Sequence, residues 1–162
     1  MTTDYLPACC TALSAHWPLP HQLPSLQLCS TRFDPALLHC EDFQRSAITP
    51  VTGVAKRQAE YLAGRLCART ALNQLTGLAT VPGSGADRAP QWPAGTLGSI
   101  THGSGWAGAV VGNSSDWRGL GLDIEQQGAA GVGGVGRMHR PAGQLPDAPA
   151  VHRPGQQLAG LR

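Results

Sequence analysis

Residues 54–77, VAKRQAEYLAGRLCARTALNQLTG, decide the fold. Ala59, Leu62, Ala63, Leu66, Cys67, Ala71 and Leu75 recur at steps of three and four, the period of an amphipathic helix. Lys56, Arg57, Arg65 and Arg69 are read as standing largely off that apolar stripe. Gly77 is a natural stop, because glycine takes the left-handed conformation that ends helices. Gly64, in the middle, costs about 1 kcal/mol relative to alanine, so it hints at a close backbone contact. The spacing predicts one long helix over 54–76.

On either side the helix period disappears. Residues 1–50 carry Pro7, Pro18, Pro20, Pro24, Pro35 and Pro50 with short apolar runs between them, which suits short strands and turns and forbids a long helix. Asp34 before Pro35 is an N-cap followed by a proline at the first turn, and opens one short helix through Leu38. Residues 79–95 are a turn-rich loop, punctuated by Pro82, Gly83, Gly85, Pro90, Pro93 and Gly95. Strand-like runs follow at 97–101, 106–111 and 119–125, and the polar turn at Asn113-Ser114-Ser115-Asp116 makes the last two read as a hairpin.

The chain has 162 residues, enough for one ordinary domain, and 12 Lys+Arg against 10 Asp+Glu. A net charge of +2 is too small to argue for a nucleic-acid or membrane surface. No stretch approaches the roughly 18 unbroken apolar residues of a membrane span. The first thirty residues lack the basic start and apolar block of a secretory signal. Cys9, Cys10, Cys29, Cys40 and Cys67 are an odd set with no paired zinc spacing, which points to free thiols in a reducing, cytoplasmic setting. Lys56 is the only lysine, and Glu41, Glu60 and Glu125 are the only glutamates.

After Glu125 the composition breaks. Residues 126–162 hold eight Gly and four Pro, one acidic residue, Asp147, and no lysine or aromatic. Such a segment buries too little apolar surface to offset its ordering entropy, so disorder is expected there. The abruptness suggests an out-of-frame reading of a GC-rich gene, or a wrongly ended one. Gly131-Val132-Gly133-Gly134-Val135-Gly136 formally fits the dinucleotide fingerprint, but neither a helix start nor an acidic ribose anchor follows it. Ser104 lacks the flanking glycines of a nucleophile elbow.

Three features carry chemistry. In Gly119-Leu120-Gly121-Leu122-Asp123-Ile124-Glu125 the leucines and isoleucine share one strand face and Asp123 and Glu125 the other, with Cα atoms roughly 6–7 Å apart. On spacing alone this is either a magnesium site, since that ion takes one or two carboxylates plus water and phosphate oxygens, or a solvated strand end. Thr101-His102, after Gly98-Ser99-Ile100, is either a phosphate-contacting turn or a surface histidine. Lys56, Arg57, Arg65 and Arg69 are either a basic face for an anion or a solvated helix face.

Taken in order, Lys56-Arg57 with Glu60-Tyr61-Leu62-Ala63-Gly64-Arg65, then Pro90 and Trp92-Pro93, then Gly98-Ser99-Ile100-Thr101-His102, then Gly121-Leu122-Asp123-Ile124-Glu125, resemble the 4'-phosphopantetheinyl transferases. The nearest type is that of enterobactin synthetase and the surfactin-synthetase activators. The resemblance covers about residues 30–125 and is clearest over 56–125. It implies an α/β (α+β) fold of two similar halves about a pseudo-twofold axis, of which this chain holds the N-terminal half. Residues 1–112 would be the first lobe, 113–125 the first strand of the second, and 126–162 an aberrant tail.

The implied activity is transfer of 4'-phosphopantetheine from coenzyme A to a serine of apo acyl, peptidyl or aryl carrier proteins, in siderophore or other nonribosomal peptide synthesis. Asp123 and Glu125 would be ligands of Mg2+. His102 and Thr101 would meet a coenzyme A phosphate, Lys56, Arg57 and Arg65 the nucleotide phosphates, and Arg88 and Pro90 the adenine. The family's third motif, an aromatic followed by Lys-Glu, has no counterpart here, because nothing after Glu125 is Lys or Glu. That departure implies an inactive or nearly inactive chain, and leaves the 119–125 strand with an unburied apolar face and an open edge. A non-catalytic remnant that binds coenzyme A or a carrier protein is the other expectation.

Overall fold

In the computed structural model, which describes residues 5–124 and 138–139, the periodic stretch is one helix. The elements in order are β1 (Leu26–Arg32), a 3-10 turn (Pro35–Leu37), α1 (Asp42–Arg45), α2 (Ala55–Thr76), β2 (Gly83–Ser84), β3 (Pro90–Gln91), β4 (Thr96–Gly103), β5 (Trp106–Asn113), β6 (Gly119–Leu120) and β7 (Met138–His139). The expected disordered tail falls outside the described residues, apart from β7, which pairs antiparallel with β6.

Helix α2 stops where the sequence says. Gly77 takes φ 78°, and its amide donates to the Asn73 carbonyl. The short N-terminal turn also forms as read, with the Asp34 carboxylate accepting from the Ala36 amide at 2.9 Å and Pro35 in the first turn. The single-stripe reading of α2 is corrected. Residues 62–69 are all buried, so apolar or enclosing surface lies on every side of the helix middle.

The sheet is three-stranded and antiparallel, in the order β1-β5-β4. The expected hairpin between 106–111 and 119–125 does not form. Strand β5 pairs instead with β4 through the two-residue connection Ser104-Gly105, where Gly105 takes φ 70°, and on its other edge with β1. A turn of two residues closes a ladder at once, whereas the longer polar stretch after Asn113 lets the chain leave the sheet plane.

Alternation then sorts the side chains into two faces. Cys29, Ala109, Val111 and Ile100 pack with Cys67, Ala68, Ala71 and Leu72 of α2. Gly64 lets helix and sheet close up, because a Cβ there would sit 2.7 Å from Ile100 Cγ2. The close approach read from Gly64 is real, and its partner is a side chain. Cys9, Cys10, Phe33, Phe43 and Ile48 cover the rest of the helix with Ala59, Leu62, Ala63 and Leu66.

On the outer face, Leu28 and Val110 pack with Leu122, flanked by Leu120 and Trp17. Two glycines of β5 make the room. A Cβ on Gly112 would meet Leu120 Cδ1 at 3.2 Å, and one on Gly108 would meet Leu122 Cδ2 at 3.4 Å. The apolar side of the 119–124 segment is therefore covered, with Leu122 only 6% exposed, contrary to the unburied face expected. Strand pairing within that segment is confined to Gly119–Leu120.

Candidate functional site

The site residues named from the sequence fall into three groups. The first lies where the start of α2 meets the end of β4. Ile100 and His102 alternate onto the helix face of β4, His102 opposite Ala107, and Glu60 and Gly64 form the α2 ridge that meets them. His102 Nδ1 lies 3.7 Å from Glu60 Oε2, and Lys56 Nζ lies 4.0 Å from Glu60 Oε1. Both are ion-pair separations, too long for hydrogen bonds. The Lys56 side chain is 72% exposed, that of His102 47%, and that of Glu60 16%. The two groups with donors thus face solvent and the carboxylate between them is mostly covered.

The second group is built on the next turn of α2. Arg65 is buried, against its reading as standing off the apolar stripe, with Nη2 donating to the Gly83 carbonyl at 3.2 Å and to Ser84 Oγ at 2.9 Å. Its guanidinium stacks 4.7 Å from the Tyr61 ring centroid, and the Tyr61 hydroxyl shares Ser84 at 3.2 Å. Arg65 is therefore the post on which the β2–β3 hairpin hangs. Pro90 pairs with Ser84 across that hairpin, and Arg88, at φ 67°, is exposed in its tip. One atom of Arg65, Nε, is buried without a partner.

Arg69 joins no basic face. It is buried and donates to the Ser46 carbonyl, tying the loop after α1 to the helix. Arg57 is exposed over Gly53, where its Cδ would lie 2.7 Å from an added Cβ. Thr101 is opposite Gly108 and so lies on the outer face of the sheet, away from its neighbour His102.

The third group is the segment bearing Asp123. The Leu122 amide donates to Ser99 Oγ at 3.2 Å, and Ile124 Cγ2 would lie 3.7 Å from a Cβ on Gly103. Since Leu120 sits by Gly112, Leu122 by Gly108 and Ile124 by Gly103, the segment runs toward the end of β4 that carries His102. Asp123 is exposed, and one carboxylate oxygen accepts from the Ile124 amide at 2.8 Å. Glu125 lies outside the described residues. Among the described residues no cluster of three or more His, Cys, Asp or Glu side chains is placed to hold a metal ion.

Sequence reading assigned no role to Glu60, Tyr61 or Ser84. The i,i+4 spacing of Lys56 and Glu60 was the available signal for the first. Nothing local marks Ser84, whose place depends on the hairpin folding back onto α2. A cavity of about 450 Å³ lined by Tyr5, His39, Glu41, Asp42 and Arg45, among others, contains none of the predicted site residues.

The described residues thus form an α+β lobe, one long helix against a three-stranded antiparallel sheet. Lys56 and His102 stand at the helix start on one face of the sheet, and the Asp123 segment reaches the same end of β4 over the other face. Residues 39–112 match the family model described as the 4'-phosphopantetheinyl transferase N-terminal domain. The chain is 39% identical over 120 residues to enterobactin synthase component D of Salmonella typhimurium, covering 70% of this chain and 47% of that protein. It is 47% identical over 73 residues to the 4'-phosphopantetheinyl transferase PptT of Mycobacterium tuberculosis, 44% of this chain and 32% of that one. Against the 4'-phosphopantetheinyl transferase Svp of Streptomyces mobaraensis the identity is 41% over 87 residues, 53% and 35% of the two chains. The chain thus spans half or less of the length of these relatives, and over residues 39–112 it is similar to the N-terminal domain of the 4'-phosphopantetheinyl transferases.

Proposed function

We propose that this chain is the nucleotide-holding lobe of an enzyme that moves 4'-phosphopantetheine from coenzyme A to a serine of apo carrier proteins. The observation that carries the reading is the joint presence of Lys56 and His102 on the α2–β4 seam with the Asp123 segment running to the same end of β4. Lys56 and His102 would take the nucleotide phosphates as charge-assisted donors. Arg88 and Pro90, in the β2–β3 hairpin, would border the adenine, and Arg65 would serve the site by fixing that hairpin. Arg57 would add charge at the rim, and Thr101 would act from the opposite sheet face.

Asp123 suits a hard cation: an exposed carboxylate with one oxygen steadied by a backbone amide, as in sites that complete magnesium coordination with water and phosphate oxygens. Glu125 is proposed as its companion ligand. Asp123 and Glu125 would hold Mg2+, whose charge would offset that of the coenzyme A diphosphate as its P–O–P bridge breaks, one phosphate passing to the carrier serine with the pantetheine arm and the other leaving on adenosine 3',5'-bisphosphate. Carrier proteins of enterobactin-type or other nonribosomal peptide synthesis are the proposed acceptors, and the free thiols fit a cytoplasmic setting. Residues 1–112 serve as the first lobe and 113–125 as the start of the second.

A second reading, a chain that binds coenzyme A but does not transfer the arm, is favoured by one fact: no Lys or Glu follows Glu125 in these 162 residues. The deciding experiment incubates the purified chain with coenzyme A, Mg2+ and an apo carrier protein and follows the mass of the carrier. An unmodified carrier together with calorimetric binding of coenzyme A is the expected result. Steady conversion of the carrier to its holo form would remove the non-catalytic reading, and absence of any binding would remove both.

A further inference from the structure

We infer that Glu60 is a positioning residue, which holds His102 and Lys56 as a paired set of donors for one phosphate group. The inference rests on the reading of His102 as a phosphate contact. An acidic side chain beside a phosphate site is at first sight misplaced, since like charges at 4 Å repel by about 1 kcal/mol even in water and more where water is excluded. Here the carboxylate does not face the solvent. Its side chain is 16% exposed, against 72% for Lys56 and 47% for His102, and its two oxygens turn in different directions, Oε1 to Lys56 and Oε2 to His102.

The Glu60 carboxylate lies on the Nδ1 side of the imidazole, which leaves the Nε2 edge for a ligand. Nε2 donates to a phosphate there when the ring is the imidazolium, which carries a proton on both nitrogens. Lys56 is drawn to the same carboxylate from one helical turn earlier, so two donors on different elements are brought to one place. The register makes the arrangement possible. Gly64, next along the same ridge, lets α2 sit against Ile100, and this places Glu60 level with His102 two residues on. With a larger residue at position 64, helix and strand would stand apart and the carboxylate would fall short of the imidazole.

The test is a double-mutant cycle on the full chain, read by calorimetry with coenzyme A and Mg2+. His102→Ala is expected to weaken binding about tenfold, and Glu60→Gln, which keeps the shape and removes the charge, about five- to tenfold. In the His102→Ala background Glu60→Gln should cost clearly less than it does in the parent chain, because only its effect through Lys56 remains. Glu60→Asp, which keeps the charge, should stay within about threefold of the parent chain, with thermal unfolding midpoints of all variants showing that they remain folded. Unchanged or tighter binding by Glu60→Gln, or two losses that multiply in full, would overturn the inference while leaving His102 as a phosphate contact. A Glu60→Asp loss as large as that of Glu60→Gln would assign Glu60 to packing and also overturn it. If His102→Ala alone leaves affinity unchanged, the reading beneath has failed, and the inference goes with it.

Discussion

Burial settles a role that charge alone leaves open. Arg69 has the sequence appearance of a surface cation, yet it is buried with its guanidinium on the Ser46 carbonyl. Arg69→Ala strands that acceptor, and a loss of about 1–3 kcal/mol in urea unfolding is expected, with coenzyme A affinity of the folded protein unchanged. Gly64→Val should cost about 1–3 kcal/mol despite valine's better helix propensity, because the new Cβ meets Ile100 Cγ2 on a stiff β-branched residue. A denaturation midpoint equal to that of the parent would refute the close contact.

Tyr5 carries a pH signature. Its hydroxyl donates to Asp42 Oδ1 at 2.6 Å, and this bond, helped by burial and the Asp42 charge, raises its pKa above the ordinary value of 10. A raised folded-state pKa means the contribution is complete below pH 10 and is lost as pH climbs through the higher folded value. The stability gap between parent and Tyr5→Phe should therefore be constant up to about pH 9 and shrink above it, because only the parent titrates there. A gap that stays constant to pH 11.5 would contradict the assignment.

At the scale of elements, the informative unit is the segment after β5. Leu120, Leu122 and Ile124 lie along the outer sheet face in grooves left by Gly112, Gly108 and Gly103, and the segment's only exposed acidic group among the described residues, Asp123, is carried along with them. A Cβ on Gly108 would meet the Trp106 ring at 2.6 Å and Leu122 Cδ2 at 3.4 Å, so Gly108→Val crowds both side chains. It is expected to displace Trp106 and the segment, lower stability by about 1–3 kcal/mol through overpacking and, if coenzyme A binds with Mg2+ at Asp123 as proposed, abolish that Mg2+ dependence. Retained Mg2+ dependence at reduced stability would show that Asp123 is placed by something other than this packing. The period-two alternation of 119–124 was legible, as was its apolar side, because alternation is a local property of an extended chain. Its partner was not. Choosing between a hairpin with β5 and a layer above it depends on which neighbour takes the edge of β5, and β4 and β1 occupy both edges.

For the whole molecule, the consequence is a sheet covered on both sides, by α2 on one and by Trp17, Leu120 and Leu122 on the other. Trp92 reports on the helix side, while Trp17 reports on the outer side. Helix content by far-ultraviolet dichroism and tryptophan fluorescence should then lose their signals in one coincident transition, as a single cooperative unit does. A fluorescence transition that precedes loss of the helix would mean the outer layer melts separately. Among the described residues no helix is long and apolar enough to cross a membrane.

What the sequence by itself determined are the properties that live within a few residues: the extent of α2, its glycine stop, the proline-led turn at Asp34, the alternating faces of the strands, and the ordered motifs that resemble those of the 4'-phosphopantetheinyl transferases. Tertiary structure alone decided which strands pair, that Arg65 and Arg69 are buried, and that a carboxylate at position 60 stands between a lysine on its own helix and a histidine forty-two residues away on another element. The reason is physical. Periodicity and capping follow from backbone geometry that each short stretch carries with it, whereas burial and ion pairing are set by surfaces that meet only when distant segments close on one another.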